Sequence, residues 1–164
     1  MVNFNDRISI EQVEESNELA PKFDENGLIV CVTTAAESGE VLMVGYMNQE
    51  ALTKTIETGE AHYWSRSREV LWHKGATSGL VQKVTEMRID DDQDAVWIAV
   101  SIEGAGKTEG MDASCHVGYR SCFYREVPTG QKLAASNQQL IFKEDSKTFD
   151  PEEIYPGAEN PTKL

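Results

Sequence analysis

Apolar residues fall mostly in short runs along this 164-residue chain, with little sustained helical spacing. Leu28 to Thr34 and Val41 to Tyr46 read as β-strands flanking a hairpin turn at Glu37-Ser38-Gly39-Glu40, after an earlier turn at Asp24-Glu25-Asn26-Gly27. Leu52 and Ile56 mark the apolar stripe of one helix. Asn48 is its natural N-cap, Met47 and Leu52 form a hydrophobic staple, and Gly59 supplies the stop. Ser9 and Gln12 have the spacing of a capping box, so a short helix is expected through Val13. From Ala61 onward the pattern is extended, with strands expected over Ala61 to Ser65, Leu80 to Ile89, Asp94 to Ile102 and Phe123 to Val127. These elements predict an α+β fold, a mainly antiparallel sheet with few short helices. Past Pro128 the composition turns polar. The expected division is a domain over 1–127 and a partly ordered C-terminal extension over 128–164, loosely held from Asp150 onward.

A formal net charge of -13 argues against nucleic acid as a partner, because no basic surplus exists to displace counterions from phosphate. A phosphorylated small molecule stays compatible if positive charge is concentrated locally. The opening Met1-Val2-Asn3-Phe4-Asn5-Asp6 is polar, and no apolar run approaches the length that spans a membrane, so a soluble, cytoplasmic protein without membrane contact is expected. The cysteine count is 3, odd and too small for a disulfide framework. Cys31, inside Leu28-Ile29-Val30-Cys31-Val32, reads as a small core hydrophobe. Cys115 and Cys122 lie instead among Gly, Ser, His and Arg.

Three constellations carry chemistry. In an extended chain Asp90, Asp92 and Asp94 share one face and Asp91 takes the other. Converging carboxylates repel, and a bound Mg²⁺ removes that cost; a solvated acidic turn is the alternative. Cys115 and Cys122 offer two thiolates suited to a softer ion such as zinc, with His116 as a further ligand or a general base; two ordinary thiols are the alternative. Tyr63-Trp64-Ser65-Arg66-Ser67-Arg68 and Leu71-Trp72-His73-Lys74-Gly75 concentrate Arg66, Arg68 and Lys74 among hydroxyls, which suits phosphate capture. Trp64 or Trp72 can stack on a purine, unless these aromatics serve the core and the arginines a solvated edge. Two decoys fail. A calcium loop starting at Asp90 would need Gly and Glu where Ala95 and Ser101 stand, and Gly104-Ala105-Gly106-Lys107-Thr108 has Ser101 in place of the leading P-loop glycine and reads as a loop.

Together with Tyr46-Met47-Asn48, these clusters resemble phosphoribosyl-AMP cyclohydrolase, an enzyme family of histidine biosynthesis, over roughly Leu28 to Val127. The resemblance implies water addition across the N1–C6 bond of N1-(5-phosphoribosyl)-AMP, which opens the adenine ring. It implies an intertwined homodimer, zinc held by cysteines of both subunits, and magnesium near the aspartates. Asp90, Asp92 and Asp94 match the magnesium positions, and Cys115 and Cys122 match two zinc ligands. Asp91 stands where the family has its third cysteine, donated across the dimer. A carboxylate there shifts preference toward Mn²⁺, Fe²⁺ or Co²⁺. Ala76 and Tyr119 also depart, from a Glu and a frequent Arg. On this reading His116 shuttles protons, Trp64, Arg66, Ser67, Arg68, Trp72 and Lys74 bind substrate, and magnesium assists at the phosphates. Two rivals are a diverged paralogue acting on another purine-like nucleotide and a non-catalytic metal-binding protein.

Overall fold

The structure, a computed structural model, describes residues 1–103 and 112–164. The glycine-bearing loop from Gly104 to Thr108 lies outside the described residues. The core is a four-stranded sheet in the order β2-β1-β6-β5, built from β1 (Ile29–Ala35), β2 (Val41–Met47), β5 (Val81–Ile89) and β6 (Ala95–Glu103). A second hairpin of β3 (His62–Ser65) and β4 (Val70–His73) packs beside it, and β7 (Arg125–Glu126) pairs with β8 (Ile141–Phe142). The expected α+β architecture with mostly antiparallel pairing is present. One pair departs from it: β1 and β6 run parallel, with Val30 opposite Ala95 and Ala35 opposite Val100.

The helix α2 (Gln49–Thr58) begins and ends where its cap chemistry predicts. Asn48 accepts from Ala51 N at 2.9 Å, and Gly59 closes the helix at φ 68, a left-handed value that costs glycine nothing. Met47 and Leu52, the staple pair, are both almost fully buried. Helix α1 (Ile10–Glu15) is capped by Ser9, and Gln12 reaches back to Ile8 N rather than to the cap residue's own N–H. Ile29 and Cys31 from β1 meet Ile98 and Val100 from β6 in one apolar layer. Burial pushes the Cys31 thiol up to about 12, so it is a neutral core group.

Three elements differ from expectation. Val70 to His73 forms strand β4, although its residues read as a basic, aromatic cluster. Phe123 to Val127 shortens to the two residues of β7. The tail expected to be loose from Asp150 carries a short helix, α3 (Pro151–Ile154), with Ile154 and Tyr155 packed against the core beside buried Phe149. Apolar contact outweighs the polar composition there.

A polar chain crosses this core. Thr33 Oγ1 lies 2.7 Å from Tyr63 Oη, Tyr63 Oη donates to Gln82 Oε1 at 2.7 Å, and Gln82 Nε2 donates to Ser114 Oγ at 3.2 Å. Tyr63→Phe removes the central hydroxyl and strands buried partners, so it is expected to destabilise the fold by about 1–3 kcal/mol. Urea unfolding checks this as a lower midpoint at unchanged slope.

Candidate functional site

The loop from Ser114 to Cys122 folds tightly on itself: Ser114 N donates to Arg120 O, Cys115 N to Tyr119 O, and Gly118 N to Cys115 O. Its far end is tied to the start of β2, with Cys122 N donating to Leu42 O at 2.7 Å and Ser121 Oγ to Val41 O at 2.7 Å. This folding brings Cys115 and Cys122 into hydrogen-bond contact as free thiols. Cys115 is buried and Cys122 exposed. The contact holds the Cys115 thiol below its ordinary range, since Cys122 donates to the thiolate, the backbone at Val117 adds a second hydrogen bond, and the Lys74 charge is near. The same contact raises Cys122, because a second thiolate beside the first is repelled. Two thiols that give up one proton readily and the second with difficulty are a donor pair that could hold a divalent cation.

Lys74, expected to bind substrate with the arginines, shares the Trp72 ring with Arg68 but is buried. It is only 5 % exposed, and its Nζ donates to Ser114 O at 2.8 Å. Burial lowers its pKa while Cys122 and Cys115 raise it, so the ammonium faces the thiol pair. Among the described residues, His116 Nε2 is a buried side-chain nitrogen without a hydrogen-bond partner. Burial holds the His116 imidazole toward its neutral form, and a hydrogen bond to Asn160 opposes this. A neutral ring with one free nitrogen can accept or pass a proton.

Asp90, Asp92 and Asp94 converge, each offering an oxygen within 4.8 Å of the others. The cause is not the alternation of an extended chain. Asp90 to Asp94 forms the β5–β6 turn, in which Gln93 takes φ 58 and Asp90 Oδ1 accepts from Asp94 N and Ala95 N. Burial, Asp92 and Asp90 together raise the Asp94 pKa, the signature of carboxylates without enough positive charge. Asp91 is exposed and outside the cluster. Gln93, which sequence reasoning passed over, anchors the turn: it accepts from Ala20 N and donates to Val13 O and Glu18 O. Arg7 adds a bond to Asp92 O. Nothing within the acidic run marks this role, since the partners come from the distant N-terminal segment.

The tip of the β3–β4 hairpin carries exposed Arg66, Ser67 and Arg68. Arg66 lies 4.0 Å over the Tyr46 ring, while Arg68 and Lys74 flank half-buried Trp72 at 5.8 and 5.0 Å. Trp64 is also half-buried. At the hairpin base His73 stacks on His62 at 4.4 Å and meets Glu60 at 2.7 Å.

Strand register separates the clusters within one chain. The aspartate turn precedes Ala95, whereas the thiol loop is fastened at Val41, which faces Thr34, itself opposite Ala99. The four-residue offset along β6 is roughly 13 Å at strand rise. The thiols and aspartates therefore occupy opposite ends of the sheet.

The family profile of phosphoribosyl-AMP cyclohydrolase matches residues 43–124, the span that holds all three clusters. A protein of Rhodopseudomonas palustris (strain BisA53) called phosphoribosyl-AMP cyclohydrolase is 54% identical over 148 residues, covering 88% of this chain and 92% of its own length. The chain belongs to this family. Further members from Nitrobacter winogradskyi and Bradyrhizobium diazoefficiens are 50% and 49% identical, covering 90% and 88% of this chain and 94% of each relative. Among the described residues no helix is long and apolar enough to cross a membrane.

The lowered Cys115 thiol gives a pH prediction. A depressed pKa keeps thiolate present at lower pH, so alkylation of Cys115 in metal-free protein should reach half its maximal rate below the ordinary thiol value of about 8.5. Lys74→Met should move that profile upward, and Cys31 should stay unreactive. A peptide-resolved iodoacetamide titration checks both, and a Cys115 profile centred at the ordinary value would count against the contact.

Proposed function

We propose that this chain is a hydrolase that adds water across the N1–C6 bond of N1-(5-phosphoribosyl)-AMP, opening the adenine ring in histidine biosynthesis. Family membership supports the reaction, and the observation that carries the site is the thiol pair with His116 Nε2 unpartnered beside it. The hydrolytic unit spans 1–127, with 128–164 as its extension.

Cys115 and Cys122 would hold Zn²⁺, or Mn²⁺, Fe²⁺ or Co²⁺ in its place, and Asp90, Asp92 and Asp94 would hold Mg²⁺. The donor chemistry fits: two soft thiols with a nearby cation to offset their charge, and three converging oxygens short of one. Held there, a divalent ion would supply an activated water by lowering its pKa toward about 7. Substitution at N1 makes the ring cationic and C6 electrophilic. His116 accepts the proton released by the attacking water and returns it to the departing ring nitrogen. Arg66 and Arg68 present guanidinium forks and Ser67 a hydroxyl to phosphate oxygens, while Trp64 and Trp72 offer faces to the purine. Lys74 we assign to charge balance at the thiols rather than to phosphate.

We further propose an intertwined homodimer that shares the thiol site, with Asp91 of a second copy as its third donor. Supporting this are the separation of thiols and aspartates along the sheet, the exposure of Asp91, and apolar Val30, Val32 and Val44 on the open sheet face.

Ring opening assayed with purified protein, zinc and magnesium tests the function; no turnover at saturating metal would overturn it. In the same assay Arg68→Ala is expected to raise KM more than it lowers kcat, as for a contact equal in ground and transition states. For the shared site, Asp91→Ala should lose thiol-site metal and activity together, and Asp91→Cys should bind zinc more tightly. Sedimentation should give twice the 18.3 kDa chain mass. Full metal content in Asp91→Ala, or an active monomer, would remove Asp91 from the site.

A further inference from the structure

Residues 143–160 lie beyond the 43–124 span of the family profile, yet they close over the thiol loop. The Glu144 carboxylate accepts from two successive backbone N–H groups, Arg120 N at 2.8 Å and Ser121 N at 3.0 Å. Four residues on, Thr148 donates to Gly118 O twice, from N at 2.7 Å and from Oγ1 at 3.1 Å. Gly118 sits at φ 103, where a Cβ would stand 2.4 Å from Phe149 O, so the two strands of chain touch backbone to backbone. Phe149 is 8% exposed within the core, with Tyr155 set against it edge-on. Asn160 lies near the His116 ring.

The loop is thus held on two sides. From within the fold, Lys74 and Gln82 bind Ser114 while Val41 and Leu42 bind Ser121 and Cys122. From the C-terminal side, the hydrogen bonds fall on Gly118, Arg120 and Ser121, all between the two cysteines. A carboxylate that accepts from two neighbouring amides fixes the peptide plane between them, and charge-assisted bonds of this kind are the stronger ones. Ser121, the residue before Cys122, is thereby held by Glu144, while the Cys122 N–H is held by Leu42 O of β2, so the chain entering Cys122 is fixed from both sides.

We propose that residues 143–160 are a clamp that sets the spacing of Cys115 and Cys122 for metal, with Glu144 as its main positioning residue. The inference rests on the reading of these thiols as metal ligands. An extension that only added stability would lower the melting temperature and leave the metal affinity of the folded protein unaltered. A positioning clamp changes the affinity itself, as groups that orient ligands do.

The experiment compares full-length wild type with Glu144→Ala and Glu144→Gln. Zinc affinity is read by competition with a chromophoric chelator, thiolate–cobalt absorption in Co²⁺-loaded protein, and folding by thermal melts of the metal-free chains. Glu144→Ala is expected to lose about tenfold or more in zinc affinity and to show weakened, shifted cobalt bands. Glu144→Gln, which keeps one acceptor oxygen, should lose less. If Glu144→Ala does not fold, Glu144→Gln decides: reduced affinity at a wild-type melt supports the clamp, and wild-type affinity overturns it. A folded Glu144→Ala with wild-type affinity and spectrum overturns it as well. Wild-type protein whose thiols take up no metal overturns the metal reading and the clamp together, whereas normal wild-type uptake with unaltered variants overturns the clamp alone.

Discussion

Everything in the molecule is tied through one buried amide. Gln82 has no exposed surface, and its side chain meets Tyr63 Oη, Ser114 Oγ and Met43 Sδ. Through Tyr63 it holds the β3–β4 hairpin and, by way of Thr33, the central strand β1; through Ser114 it holds the residue before Cys115. A buried polar group must find partners or cost the fold several times what a typical surface contact contributes. Gln82 therefore dictates where the thiol loop can sit: a loop placed elsewhere would leave the amide unsatisfied. The apolar layer supplies most of the stability, while the amide supplies the register between core and site.

Charge is arranged along the same lines. The chain carries 28 acidic against 15 basic residues, and the few cations are placed where acid or sulfur would otherwise repel itself. Lys83 and His73 both approach Glu60, Arg120 pairs with Glu40, and Lys132 and Lys143 share Glu126. Most of these pairs reach solvent and contribute little to stability. Lys74 is different in being buried, and the aspartate turn is different in that, among the described residues, only Lys22 forms an ion pair with its carboxylates, 3.9 Å from Asp94. A thiol pair with one buried cation beside it and an acidic turn short of one thus stand apart along one sheet.

Local chemistry was legible in the chain and long-range partnership was not. Helix α2 could be bounded to the residue because Asn48 and Gly59 satisfy its ends by themselves, and β1, β2 and β6 announce themselves by apolar runs. The parallel pairing of β1 with β6 was hidden, since it joins segments some sixty residues apart that carry no signal for each other. Asp90, Asp92 and Asp94 were grouped correctly for the wrong geometric reason: a turn closed by Gln93 does what strand alternation was expected to do. The burial of Lys74 carries no signal in the sequence, because lysine is so seldom buried. Glu144 and Thr148 were invisible, two polar residues in a polar stretch, whose meaning comes only from the amides opposite them.

A thiol site shared between two copies, as proposed above, would have a genetic consequence. In a dimer whose centres each combine the thiols of one copy with Asp91 of the other, two defective alleles need not be equivalent. A chain damaged at Cys115 and a chain damaged at Asp91 would each be inactive alone. Co-expressed, their mixed dimers would contain one centre with both lesions and one with neither. Such alleles would complement each other within a single gene, up to a quarter of normal activity when the two chains assemble at random. Two alleles damaged at the same end would not.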